Sequence, residues 1–160
     1  MWNEIRELFP VHRSCVYLNN AGVSPPSLRV LEALNDYHGY HARHGTAALF
    51  GRYRDTGERI KKILSGLLGC SPNSLALTHN TSEGMNILAQ GLDWLPGDVV
   101  LGLQREYPAN VYPWWNRKEK GVEYSQIQAL GSRDDFPLIE QEMSERVRLV
   151  TVSGVNWCTG

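Results

Sequence analysis

An α/β fold, with a mostly parallel sheet and flanking helices, is what this sequence predicts, and two observations carry the prediction. In the stretch from Leu75 to Leu92, a short apolar run passes through small polar residues directly into a helical pattern. After it, apolar runs and helical patterns alternate: Val99–Leu103 as a strand, Val111–Lys120 as a helix, Val122–Gln128 as a strand, Phe136–Met143 as a helix and Val147–Ser153 as a strand. That order is the mark of successive βα units, whose parallel strands need crossover helices.

Within the first of these stretches, Leu75, Ala76, Leu77 and Thr78 have the composition of a short core strand. Asn80, Thr81 and Ser82 are residue types that cap a helix, and Met85, Ile87, Leu88, Ala89 and Leu92 supply its apolar face. A helix starting at the carboxyl end of a strand turns unpaired N–H groups and the positive end of its dipole toward the adjoining crevice. The Thr81 and Ser82 hydroxyls would add donors for a phosphate. The same residues also suffice as a plain helix cap, and both readings stand at this point.

The 160 residues are 42% hydrophobic and 21% charged, a composition of one ordinary globular domain. A formal net charge of -1 gives no electrostatic reason to expect nucleic acid or an anionic membrane as partner. Cys15, Cys70 and Cys158 lack CxxC spacing, which argues against a disulfide framework or a cysteine zinc site and fits a reducing cytoplasm. The first residues carry acidic groups and no long apolar run, so neither a signal peptide nor a membrane-spanning helix is expected.

Residues 1–70 read as an amino-terminal arm and helices, and residues 71–160 as the first βα units of a larger domain. Trp2, Ile5, Leu8 and Phe9 recur at helical spacing, predicting a short helix that docks through its apolar side. Asn19–Gly22 and Ser24–Pro26 are dense in turn residues and predict a bent loop facing a cleft or solvent. A helix is expected from Ser27 to about Tyr40, after which Gly39 and Gly45 should loosen the chain; a second runs from Arg52 to Leu68 and stops at Gly69. His38, His41 and His44 share a helical spacing of three. With no carboxylate or cysteine in a ligand pattern beside them, and with Tyr37 and Tyr40 interleaved, they read as a packing or partner surface and no metal site is assigned.

In an open parallel sheet ligands bind beyond the carboxyl ends of the strands. The loops at 79–83, 106–110 and 153–160 should therefore converge. They offer an anion seat, the ring of Tyr107 held by Pro108, and polar groups at Ser153, Asn156 and Thr159. A phosphate seat beside an aromatic platform suits a flat, phosphorylated cofactor. Tyr107 could equally anchor its loop. A nucleotide-binding α/β domain is the other reading, although GxGxxG and GxxxxGK[ST] are absent.

Taken together, Tyr17–Gly22, Asn80–Asn86, Pro96–Asp98, Glu106–Trp114 and Val152–Gly160 resemble the class V aminotransferase family of pyridoxal-phosphate (PLP) enzymes over essentially the whole chain. That group includes cysteine desulfurases, isopenicillin N epimerase-like proteins and kynureninase. The resemblance implies the amino-terminal part of a fold-type I large domain, PLP as cofactor, an amino-acid substrate and a homodimer at full length. It places Thr81 and Ser82 at the cofactor phosphate, Tyr107 on the pyridine ring, Asn156 near the cofactor, and Asn20, Ala21 and Gly22 at the substrate side. Cysteine desulfurases carry histidine where this chain has Tyr107. Tyrosine, with an ordinary pKa of roughly 10, is a poorer proton shuttle near neutral pH, which favours the epimerase-like branch.

Family members run well beyond this length, and their pyridine-nitrogen aspartate, covalently bound lysine and carboxylate-binding arginine come later. Lys61, Lys62, Lys118 and Lys120 do not match the lysine motif. No catalytic residue is assigned to this chain, no turnover is expected of it alone, and its outer strands are expected to want neighbours. The alternative is an inactive remnant that serves as a binding or dimerisation module.

Overall fold

In the computed structural model, which describes residues 2–128 and 135–160, the chain divides into two compact units, Met1–Ala76 and Leu77–Gly160. The second is built on a three-stranded sheet of order β2-β1-β3, with β1 Val99–Leu103, β2 Glu123–Ile127 and β3 Val147–Thr151. Both pairings are parallel, as the βα alternation requires. β1 is the middle strand and is buried from Val99 through Gly102, while the outer strands alternate or stay half covered.

Seven helices accompany the strands among the described residues: α1 Trp2–Glu7, α2 Leu28–His44, α3 Ala47–Phe50, α4 Thr56–Leu68, α5 Thr81–Gly91, α6 Tyr112–Trp115 and α7 Asp135–Gln141. Ala89 of α5, Trp114 of α6, Val100 and Val122 form the core of the second unit, with Met85, Trp94, Tyr124 and Leu149 packed against it. Trp94 meets Trp114 edge to face, ring centroids 6.4 Å apart, and its indole N–H donates to the Ala89 carbonyl at 2.7 Å. Both preferences, an edge-on ring and a satisfied indole, are those expected of buried tryptophan.

Several sequence expectations need correction. Leu75–Thr78 is not a strand: no described strand lies beside it to accept its backbone hydrogen bonds, and Leu77 is half exposed. The helix expected over Val111–Lys120 is broken into α6 and a 3-10 turn at Lys118–Lys120. Gly121, at φ 79°, lies 3.0 Å from Pro96 by the Cβ it lacks, and its carbonyl accepts the Gly97 N–H at 2.9 Å. That contact turns the chain into β2, and only glycine fits it without strain. β3 stops at Thr151 rather than Ser153, because the Ser153 N–H is taken by the Glu106 carboxylate at 2.6 Å.

In the first unit α2 runs through Gly39 and ends at Gly45, since an interior glycine costs only about 1 kcal/mol and the Tyr37–His41 stack spans the site. α4 starts at Thr56, after α3 and a run of turns, and ends on left-handed Gly69. α1 forms as expected, but none of its residues is buried and Trp2 stays largely exposed. Asp36 links α2 to the following turns, accepting from Tyr53 at 2.7 Å and pairing with Arg52 at 3.0 Å.

Gly102 is a second position where glycine is required by space. A Cβ there would sit 2.5 Å from the Tyr124 hydroxyl and 3.0 Å from its ring. Gly102→Ala should destabilise the protein by about 1–3 kcal/mol in a urea melt, the usual cost of overpacking. The loss should shrink in a Tyr124→Phe background; equal loss in both would mean the hydroxyl is not what crowds the site.

Candidate functional site

α5 begins at Thr81 because Asn80, with extended backbone, caps it: its Oδ1 accepts the Glu83 N–H at 2.9 Å. Glu83 reaches back to accept the His79 N–H at 2.6 Å, and lies 2.9 Å from His79 Nδ1. This reciprocal arrangement is a capping box shifted by one residue. The His79 backbone N–H, and then its imidazole, hold the Glu83 carboxyl below the usual carboxylate range. With Asn80 and Glu83 serving each other and His79, the backbone N–H groups and hydroxyls of Thr81 and Ser82 have no partner among the described residues, and both residues are exposed. They stand at the positive end of the α5 dipole.

Tyr107 follows β1. Pro108 confines it to extended backbone (φ -63°, ψ 141°) and opens a 3-10 turn, Pro108–Asn110, whose Ala109 and Asn110 are buried. The Asn110 Oδ1 accepts the buried Thr151 hydroxyl of β3 and the Trp114 indole N–H at 3.5 Å. The loop is thereby fixed to the core while Tyr107 stays 54% exposed.

One hollow of about 600 Å³ is lined by Thr81, Tyr107, Asn110, Trp114, Thr151 and Ser153, among others. A second, of about 340 Å³, is lined by Ser82, Asn86, Tyr107 and Asn116 with their neighbours. Thr81 of the first loop, Tyr107, Ala109 and Asn110 of the second, and of the third only Ser153 line the first hollow, and Tyr107 and Ala109 form a wall common to both hollows. A further hollow of about 620 Å³ lies against the amino-terminal starts of β2 and β3, lined by Trp115, Lys118, Glu123, Tyr124 and Arg146. It holds none of the predicted residues and sits at the end of the sheet away from where parallel strands bind ligands.

Asn156 is placed differently. Its Nδ2 donates to the Arg105 carbonyl at 3.2 Å, and its Oδ1 accepts from the backbone of Cys158 at 2.8 Å and Thr159 at 3.1 Å. The side chain holds its own loop and lines neither hollow. The Asn20, Ala21 and Gly22 loop belongs to the first unit and is exposed. It is shaped by the Tyr17 hydroxyl donating to the Val23 carbonyl, and Asn20 lines a hollow of about 520 Å³ with Phe9, His12, Cys15 and Tyr17. His41 stacks on Tyr37 and His44 lies 4.2 Å from the Tyr40 ring. Among the described residues no cluster of histidine, cysteine or carboxylate could hold a metal ion.

Sequence reasoning missed Glu106, Arg105 and Trp157. Glu106 is buried and receives both polar groups of Ser153; Arg105 is the one non-glycine residue at positive φ, 61°, among the described residues; Trp157 meets the Tyr107 ring edge on at 6.0 Å. No local pattern could have revealed contacts between segments about fifty residues apart.

Two measurements test the start of α5. Asn80→Ala should cost about 1 kcal/mol in a denaturant melt. Because the Glu83 carboxyl is lowered, its stabilisation is complete above the ordinary range near 4.5 and is lost as pH falls through the lowered value. Wild-type protein should therefore exceed Glu83→Gln in stability at neutral pH, and the two curves should converge in acid; parallel curves down to pH ~2 would refute the pairing.

Residues 16–160 match the family described as aminotransferase class V. A probable cysteine desulfurase of Methanothermobacter thermautotrophicus is 32% identical over 98% of this chain and 40% of its own length. Among solved structures, C-DES with glycine covalently linked to its PLP cofactor superposes with a TM-score of 0.83 at 24% identity, over 95% of this chain and 41% of that one. Apo cysteine desulfurase from Thermococcus onnurineus NA1 gives 0.78 at 21% identity, over 99% and 41%. These two likenesses speak to the fold, that of PLP enzymes of this type. The chain thus spans about 40% of the length of the relatives named here. With the family pattern matched from Val16 to the last residue, the chain belongs to the class V aminotransferase family.

Proposed function

We propose that this chain supplies the phosphate seat and one ring-facing wall for PLP in an enzyme that acts on an amino acid. The observation that carries the reading is the pairing of unpartnered donors on Thr81 and Ser82 with the exposed face of Tyr107 around shared hollows. The donor set fits the group: N–H and hydroxyl donors at a helix start suit a phosphate, and an exposed ring held by a rigid X-Pro turn suits a pyridine face. Bound there, PLP supplies an electron sink for chemistry at the α carbon of an amino acid.

The residues of this chain have separate tasks. Thr81 and Ser82 bind the phosphate, each through backbone and hydroxyl, with a dipole contribution of about 0.3–1 kcal/mol. Tyr107 covers one ring face and excludes water from it, a contact of about 0.5–1.5 kcal/mol beyond area burial. Asn156 serves the cofactor indirectly, by holding its loop to the Arg105 carbonyl. Asn20, Ala21 and Gly22 border the substrate in the whole enzyme, which acts as a homodimer. Tyr107, at a position where the resemblance implies histidine in cysteine desulfurases, favours epimerase- or aminotransferase-like chemistry, even though two of the relatives named above are described as a probable cysteine desulfurase and a cysteine desulfurase.

A second reading, a module that associates without catalysing, is favoured by one observation. Leu28, Val30, Leu31 and Leu34 on α2 are 40–48% exposed, and Ile63, Leu67 and Leu68 on α4 are 64–78% exposed. Light scattering that finds a stable oligomer without PLP affinity would select it.

Titration with PLP, followed by protein fluorescence, tests the first reading. The wild type should bind PLP, and Thr81→Ala/Ser82→Ala should bind at least about tenfold more weakly. Pyridoxal, which has no phosphate, should bind both proteins alike. Equal PLP affinity in the two proteins, or no binding by the wild type, would overturn it.

A further inference from the structure

We infer that Glu106 is a positioning residue that sets the Tyr107 ring by clasping the end of β1 to the segment after β3. The inference rests on Tyr107 being the ring-facing residue for PLP.

The clasp has two halves. In one, the buried Glu106 carboxylate, 6% exposed, accepts the Ser153 N–H at 2.6 Å and the Ser153 hydroxyl at 2.5 Å. Both carboxylate oxygens are engaged by one residue, 47 positions away, across adjacent strand ends. Charge-assisted bonds of this length in a water-poor place are among the strongest available to a side chain. In the other half, the Arg105 carbonyl accepts the Asn156 amide at 3.2 Å and the Trp157 indole N–H at 3.0 Å. Arg105 is left-handed, and those two donors hold the carbonyl in that unfavourable conformation.

The product of the two halves is the aromatic corner. With Ser153 locked to Glu106 and Trp157 locked to Arg105, the Trp157 ring stands edge on to Tyr107 at 6.0 Å and 79°. Tyr107 follows Glu106 directly and precedes Pro108, so its backbone has little freedom of its own once residue 106 is fixed. Removing the carboxylate leaves two half-buried donors on Ser153 without their partner and frees the segment that carries Trp157. The ring then loses its neighbour and its fixed presentation to the hollow.

The test compares Glu106→Ala, Glu106→Gln and Ser153→Ala with the wild type, reading two signals. The first needs no cofactor: NMR contacts between the Tyr107 and Trp157 rings, together with the downfield shift of the Ser153 amide. The second is PLP affinity by fluorescence. Glu106→Ala should abolish the ring contacts, keep those between Trp94 and Trp114, and weaken PLP about tenfold. Glu106→Gln, which retains an acceptor for the Ser153 N–H, should restore the ring contacts and bring affinity within about threefold of wild type. Should Glu106→Ala fail to fold, Ser153→Ala decides, since it removes only the hydroxyl arm and should loosen the ring contacts and weaken PLP about threefold. Ring contacts unchanged in Glu106→Ala, or in Ser153→Ala where that variant decides, overturn the inference. Ring contacts that respond as stated in a wild type without PLP affinity uphold the clasp and overturn the proposed function instead.

Discussion

Burial of β1 on both faces is the constraint on which the second unit depends. A strand covered on both sides must have its hydrogen bonds taken by neighbours, and β2 and β3 provide them in parallel. Parallel neighbours in turn demand crossovers: α6 lies on the connection from β1 to β2, and together with α5, which precedes β1, it lays Trp114 and Ala89 over Val100. Burying a ring the size of Trp114, at 150–250 Å², removes enough apolar surface to be worth about 4–6 kcal/mol as an upper bound. The same geometry makes the start of α5 and the exits of β1 and β3 neighbours. The site is a consequence of the core.

Much of this was legible in the sequence because it rests on local chemistry. Asn80 ahead of an apolar helical pattern reads as a cap, and it caps α5; Gly69 reads as a stop, and it ends α4 in left-handed geometry. The strand runs at 99–103 and 147–151 follow from continuous or alternating apolar residues. What was not legible depends on partners distant in sequence. Leu75–Thr78 has the composition of a strand, but a strand exists only when another backbone lies alongside. The early end of β3 depends on Glu106, and the turn into β2 depends on Pro96 and Gly97 meeting Gly121.

The candidate site divides in the same way. Thr81, Ser82 and Tyr107 could be picked out by residue type and by position at strand and helix ends, and the structure gathers them around two hollows that share one wall. Asn156 looked similar on paper, yet its amide is spent on its own loop and on the carbonyl of Arg105. The difference is one of hydrogen-bond supply: a polar side chain next to bare backbone donors and acceptors serves them first.

The left-handed turn at Arg105 leaves consecutive residues in opposite surroundings, Glu106 at 6% exposure and Tyr107 at 54%. Anchor and exposed ring are therefore carried by adjacent but separable positions. A change of ring type at 107 leaves the Glu106 carboxylate and its Ser153 partners in place, so the face presented to the hollows can be altered by a single substitution without rebuilding the strand ends beneath it.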